Sequence, residues 1–207
     1  IRAERGPSGW LRSRPTPLRV ALAVALATGL VGAYALFAGR EDLGRLDAVE
    51  LGVVLGGAGI TLFAACLRLL RPLYAPPAAG WTGAALGAAG LAVPTLLALV
   101  TSRAGAPDDG RPVAAVLGAA AECLAFGLLG AAPVVALTIA LRRARSDGRA
   151  VAALTGVAAG LTGYLCLHVH CGATDRAHLL LGHVAVVALA MGLGLLGDAL
   201  TRPRARG

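Results

Sequence analysis

Six blocks of apolar residues, at 20–38, 48–70, 80–101, 113–141, 150–167 and 177–197, take up most of the chain and fix what it can become. About 20 apolar residues wound as a helix cross a hydrocarbon core roughly 30 Å thick, and within that core every backbone N–H and C=O must be bonded inside the segment. The chain is therefore expected to be all-α, a polytopic membrane protein built as a bundle of six transmembrane helices. Composition agrees, with 57% apolar and 14% charged residues against about 45–50% and about 25% in ordinary soluble domains. The 29 glycines and the 4% share of aromatic residues describe helices that pack backbone close to backbone. Small-xxx-small strings at Gly83/Gly87 and Gly156/Gly160 are expected at helix contacts.

Breakers stand where connections are needed: Gly39 to Asp42, Pro72 with Pro76-Pro77, Gly105 to Pro112, Arg142 to Arg149, and Gly172 to Arg176. Basic charge is carried by 19 arginines with no lysine, and the formal net charge is +8. Its placement in short runs between apolar blocks reads as topology rather than as a nucleic-acid surface, so no direct nucleic-acid contact is expected. The N-terminal segment, the second and fourth connections and the tail hold 14 arginines, and the other side holds five together with most of the acids. Arginine-rich short connections stay in the cytoplasm, so both termini are expected there, in a bacterial inner (cytoplasmic) membrane. This divides the chain into a cytoplasmic N-terminal arm (1–19), a six-helix transmembrane domain (20–197) and a cytoplasmic basic tail (198–207). The chain opens on Ile1, so the arm is expected to extend further upstream. The first block is expected to be a retained span, since no small-residue cleavage site follows it and five more blocks do.

All four histidines fall within 16 residues: His168 and His170 run into Cys171, and His178 and His183 follow. Imidazole and thiolate suit zinc, copper and other borderline or soft metals, which makes His168, His170 and Cys171 candidate metal ligands. His178 and His183, five apart, would lie about 140° from one another on an ideal α-helix and would not share a face. Glu122 is expected in the outer half of the fourth span, where a carboxylic acid costs about 2.5 kcal/mol or more and tends to face a bundle interior; it is a fourth candidate ligand. Beside it, Cys123 is a candidate redox or metal partner for Cys171 on the same side of the membrane. A disulfide between them requires Cα atoms within about 7 Å, whereas a shared metal tolerates more, and the spacing leaves both open. Cys66 and Cys166 lack polar neighbours and are expected to pack as small hydrophobes. The chain contains no nucleophile elbow, phosphate-binding glycine loop or HExxH string, and no enzymatic activity is expected.

Several strings resemble the NrsF type of six-span membrane anti-sigma factor, a negative regulator of extracytoplasmic-function sigma factors. They are Arg40-Glu41-Asp42-Leu43 after the first span, Cys123-Leu124 with Pro133 and the exit Leu141-Arg142-Arg143 in the fourth, and the fifth span with Gly156, Gly160, Gly163 and His170-Cys171. The resemblance covers most of the chain, departing at Gly172, where the family has proline, and at Gly182-His183, where it has an aromatic pair. It implies a protein that sequesters a sigma factor at the cytoplasmic face and releases it on metal or oxidative stress, with Cys123 and Cys171 as the sensor pair. Arg12 and Arg14 of the arm and Arg142, Arg143 and Arg145 of the fourth connection are the charges that would steer an acidic partner. A small transporter of metal or metal complexes, using His168, His170, Cys171 and Glu122 on its pathway, is the alternative reading.

Overall fold

The computed structural model describes residues 7–41, 48–70, 80–102, 112–141, 148–173 and 175–201. Among them there is no strand, and six helices are long and apolar enough to cross a membrane. The chain is a multi-pass membrane protein. A short helix α1 (Pro7–Ser13) leads into α2 (Thr16–Ala38), followed by α3 (Ala48–Leu69), α4 (Gly80–Thr101), α5 (Val113–Leu141) and α6 (Arg149–His170). A single turn, α7 (Arg176–His178), then enters a π-helical stretch at Leu179–Val184 and continues as α8 (Ala185–Thr201).

The spans match the apolar blocks with three differences. α2 begins four residues before its block, because Pro17 presets the backbone for a first helical turn and takes Arg19 into the helix. α6 runs three residues beyond its block and carries His168 and His170 on its last turn. The last span starts at Arg176 and is not uniformly α-helical. α5 remains one helix of 29 residues through Pro133.

α6 is the axis of the bundle. It touches α2, α3, α4, α5 and α8, and 83% of its apolar window is buried, compared with 17–33% for the other five spans. Its glycines make this possible. A Cβ on Gly156 would run into the Ala190 carbonyl, one on Gly160 would lie 2.6 Å from the Val187 Cα, and one on Gly163 would strike the Gly127 carbonyl. α6 is thus in backbone contact with α8 on one side and α5 on the other, in the manner of small-residue packing in membranes. Gly83 likewise seats against Ala150, whereas a Cβ on Gly87, Gly52, Gly56 or Gly59 would meet nothing within 4 Å. The outer surface is apolar, with Leu36, Phe37, Ile60, Trp81 and Val100 each more than 70% exposed, as a hydrocarbon solvent requires.

At the end of the bundle that carries α1, one charge is fully enclosed. Arg19, 0% exposed, donates from Nη1 to the Leu141 carbonyl at the end of α5 and from Nη2 to the Leu70 carbonyl just past α3, each at 2.9 Å, and also reaches Thr16 Oγ1. The last carbonyls of a helix have no partner within it and carry its negative dipole end, so one guanidinium caps two helices. Arg12 adds a bond from Nε to the Ala140 carbonyl, 3.3 Å away, fastening the segment before α2 to the same end of α5.

Candidate functional site

The opposite end of the bundle holds the chemistry. α6 stops at His170, and Cys171 caps it, its N–H bonded to the Leu167 carbonyl. The chain turns back at Asp175, whose Oδ1 accepts the His178 N–H at 2.7 Å and so starts α7. The chain then winds as a π-helix, with the Ala185 N–H reaching the Leu180 carbonyl five residues back. This winding overturns the α-helical expectation for His178 and His183. With i→i+5 bonding the fifth residue comes round above the first, and the two rings meet with centroids 5.6 Å apart. Gly182 lets the π-stretch lie on α5, since a Cβ there would stand 3.3 Å from both the Ala120 carbonyl and the Cys123 Cβ.

Four donors converge as a result. One ligand atom each from Cys123, Cys171, His178 and His183 can be chosen so that all lie within 4.8 Å of one another. His178 Nε2 sits between the sulfurs, 3.3 Å from Cys171 Sγ and 3.3 Å from Cys123 Sγ. His178 and His183 are buried, and both cysteines are half-buried and free. Both ring nitrogens of His183 are enclosed without a hydrogen-bond partner among the described residues. The Cys171 thiol is held well below its ordinary range by the hydrogen bond from Cys123, with the His178 ring and the Ala173 backbone adding to it against the opposing effect of burial. A cysteine so placed favours the thiolate, the form that binds metals and attacks electrophiles.

The vertical match of the two cysteines depends on the length of α5. Cys123 follows ten helical residues, about 15 Å of rise, so α5 runs on past the end of α6 and brings Cys123 level with Cys171. One turn below, Gly127 and Gly163 hold α5 and α6 backbone to backbone.

The other candidate ligands lie elsewhere. His170, on the far side of the α6 end, stacks on Phe126 with centroids 5.2 Å apart, meets Tyr34 edge-on, and contacts the Ala38 carbonyl through Nδ1. Tyr34 in turn donates to the Phe126 carbonyl at 3.1 Å, so this histidine sits in an aromatic slot between α2 and α5. His168 is buried beside Tyr164, with near-parallel rings 6.4 Å apart, and is outside the four-residue group. Glu122 is exposed and is likewise outside it. The reason is helical direction: neighbours in sequence point about 100° apart, so adjacency to a cysteine does not carry a side chain into its site. His178 and His183 are the members that periodicity missed. The available signal was the crowding of four histidines into one stretch, together with Gly182 where that stretch lies close on α5.

Of the candidate partner-binding arginines, Arg12 bonds the end of α5 and Arg14 lies 3.9 Å above the Trp10 ring. Arg142, Arg143 and Arg145 fall outside the described residues. Cys66 and Cys166, both fully buried, belong to the packed interior.

Two thiols and two imidazoles at these distances can share a metal ion, and the two sulfurs are near enough to act as a pair. Residues 10–202 match the family model described as "NrsF: Negative regulator of sigma F". No curated protein and no solved structure matches the chain.

Proposed function

The chain belongs to the NrsF family, negative regulators of sigma F, and on that premise we propose that it is an inner-membrane anti-sigma regulator that joins a sensor on one side of the membrane to a sigma-holding arm on the other. The partner is a sigma factor of the extracytoplasmic-function type, held at the cytoplasmic face by the arm (1–19) and the basic connection containing Arg142, Arg143 and Arg145. Cys123 and Cys171 form the outer sensor, and metal or oxidative stress acting on them releases the partner. The protein works by binding, without catalysing a reaction.

One observation carries this reading. α5 bears Cys123 toward one end and finishes at the other on the carbonyls of Ala140 and Leu141, to which Arg12 and Arg19 are bonded. A change in how α5 is held at the cysteines therefore reaches the arm through a single continuous helix and needs no chain of intermediates. The orientation follows from the arginine distribution, 14 on the arm side against five opposite, because basic short connections are retained in the cytoplasm.

Reporter fusions to the full chain test the arrangement. A reporter active only after export is expected to be active when joined after Asp109 and inactive after Arg145. In the same cells, removal of residues 1–15, which leaves α2 and Arg19 in place, is expected to raise sigma-dependent transcription to the level seen without the regulator while the bundle remains inserted. The opposite fusion pattern, or full repression without the arm, overturns the proposal.

A further inference from the structure

We propose that Cys123, Cys171, His178 and His183 hold a resident Zn²⁺ ion in a closed, four-coordinate centre. The inference deepens the sensor reading above and rests on it for its physiological meaning. Geometry is the first argument. A tetrahedral zinc ion with Zn–S near 2.3 Å and Zn–N near 2.0–2.1 Å has sulfur-to-nitrogen edges of about 3.6 Å. The two such edges at His178 Nε2 measure 3.3 Å each, and the whole donor set fits within 4.8 Å.

The second argument is His183, which is 1% exposed and has two ring nitrogens without a hydrogen-bond partner among the described residues. An imidazole enclosed in this way has given up its bonds to water without replacing them. One bond to a metal answers the nitrogen that faces the sulfurs. The π-helical stretch is the third. π-turns are rare and tend to occur at functional sites, and this one does what an α-helix cannot, placing His183 over His178.

Charge selects the metal. His178 and His183 are buried and both cysteines half-buried, and a net charge enclosed in this way is expensive. Two thiolates and two neutral imidazoles contribute −2, which a divalent ion cancels and a monovalent copper ion would leave at −1. Among divalent ions, a tetrahedral set of two sulfurs and two nitrogens suits zinc. With four protein ligands no coordination position stays open for substrate, which describes a structural or sensing site. A soft divalent cation that binds thiolate more strongly can replace zinc one for one with no change in charge, so loading by a competing metal reshapes the site without a penalty for burying new charge.

The full chain, purified in detergent without chelators, is expected to contain one zinc per polypeptide by elemental mass spectrometry. The Co²⁺-substituted protein is expected to show the intense visible absorption of a tetrahedral thiolate site. His183→Ala and Cys171→Ser should each reduce zinc to below about a tenth, whereas His168→Ala and His170→Ala should keep it. His183→Cys, which preserves a donor at that position, should restore zinc, a result that recovery of folding alone would not give. Well-folded wild-type chain without zinc, with copper in its place, or His183→Ala with zinc retained overturns the inference. If zinc is absent while sigma-factor binding and the thiol response persist, only this inference fails. A chain with one zinc that restrains no sigma factor would instead remove the regulatory reading and leave the centre in place.

Discussion

Replacing Arg19 with methionine is expected to release the sigma factor without any stimulus. The substitution keeps the length of the side chain and removes both donors that close the ends of α3 and α5. Hydrogen bonds to a charged group are worth about 1.5–3 kcal/mol each, and a buried carbonyl left bare costs a similar amount. Water admitted at the membrane border recovers part of this, which leaves a net loss of about 3 kcal/mol, on the order of a 100-fold shift toward an undocked arm. Arg19→Lys should fall between the two, because one ammonium cannot bridge carbonyls on two helices as a fork of donors does. The check is sigma-dependent transcription in unstressed cells, together with hydrogen exchange of residues 16–20 and 138–141 in the purified protein. Wild-type repression and wild-type protection in Arg19→Met would show that the arginine serves insertion only.

The second large effect is expected at the cysteines. Cys123→Ser and Cys171→Ser should each lower the response to thiol-reactive metals or oxidants at least about tenfold, and the double variant should add nothing, because residues acting as one unit are non-additive. Cys66→Ala and Cys166→Ala should leave the response intact. Their thiols are buried, and Cys166 Sγ packs against the space beside Gly130. The measurement is reporter induction over a dose series in strains with matched protein levels. A normal response in either single sensor variant would separate the two sulfurs functionally despite their proximity.

The bundle was legible because the bilayer imposes a length and a polarity that a sequence displays directly. Block edges at 80–101 and 113–141 coincide with α4 and α5. The site was only half legible. Cys123 and Cys171 could be paired on depth alone, since a long fourth span allows one to rise to the other. The histidines required knowledge of local winding, and 3.6-residue periodicity separates His178 from His183 while i→i+5 bonding unites them. The same arithmetic sends His168 to Tyr164 and His170 to Phe126. In the sequence Arg19 is one of five arginines in residues 1–19, a number that carries no information on where any one of them points. The signal was the Thr16-Pro17 helix start, which places Arg19 inside the first turn.

The burial of α6 bears on how the protein is made. α6 has the lowest mean hydropathy of the six spans, 1.7 against 1.9–2.3, and its glycines and threonines are turned toward other helices. As it leaves the translocation machinery it offers lipid a weaker partition than its neighbours do, and its Thr155 and Thr162 hydroxyls are accommodated by bonding to carbonyls one turn back. α5, the most hydropathic span along with the last, precedes it and meets it through Gly127 and Gly163. Biogenesis is thus set to proceed by hairpin, with α5 waiting in the bilayer as the template on which α6 is received, and the two helices that position Cys123 and Cys171 paired before His178 and His183 emerge.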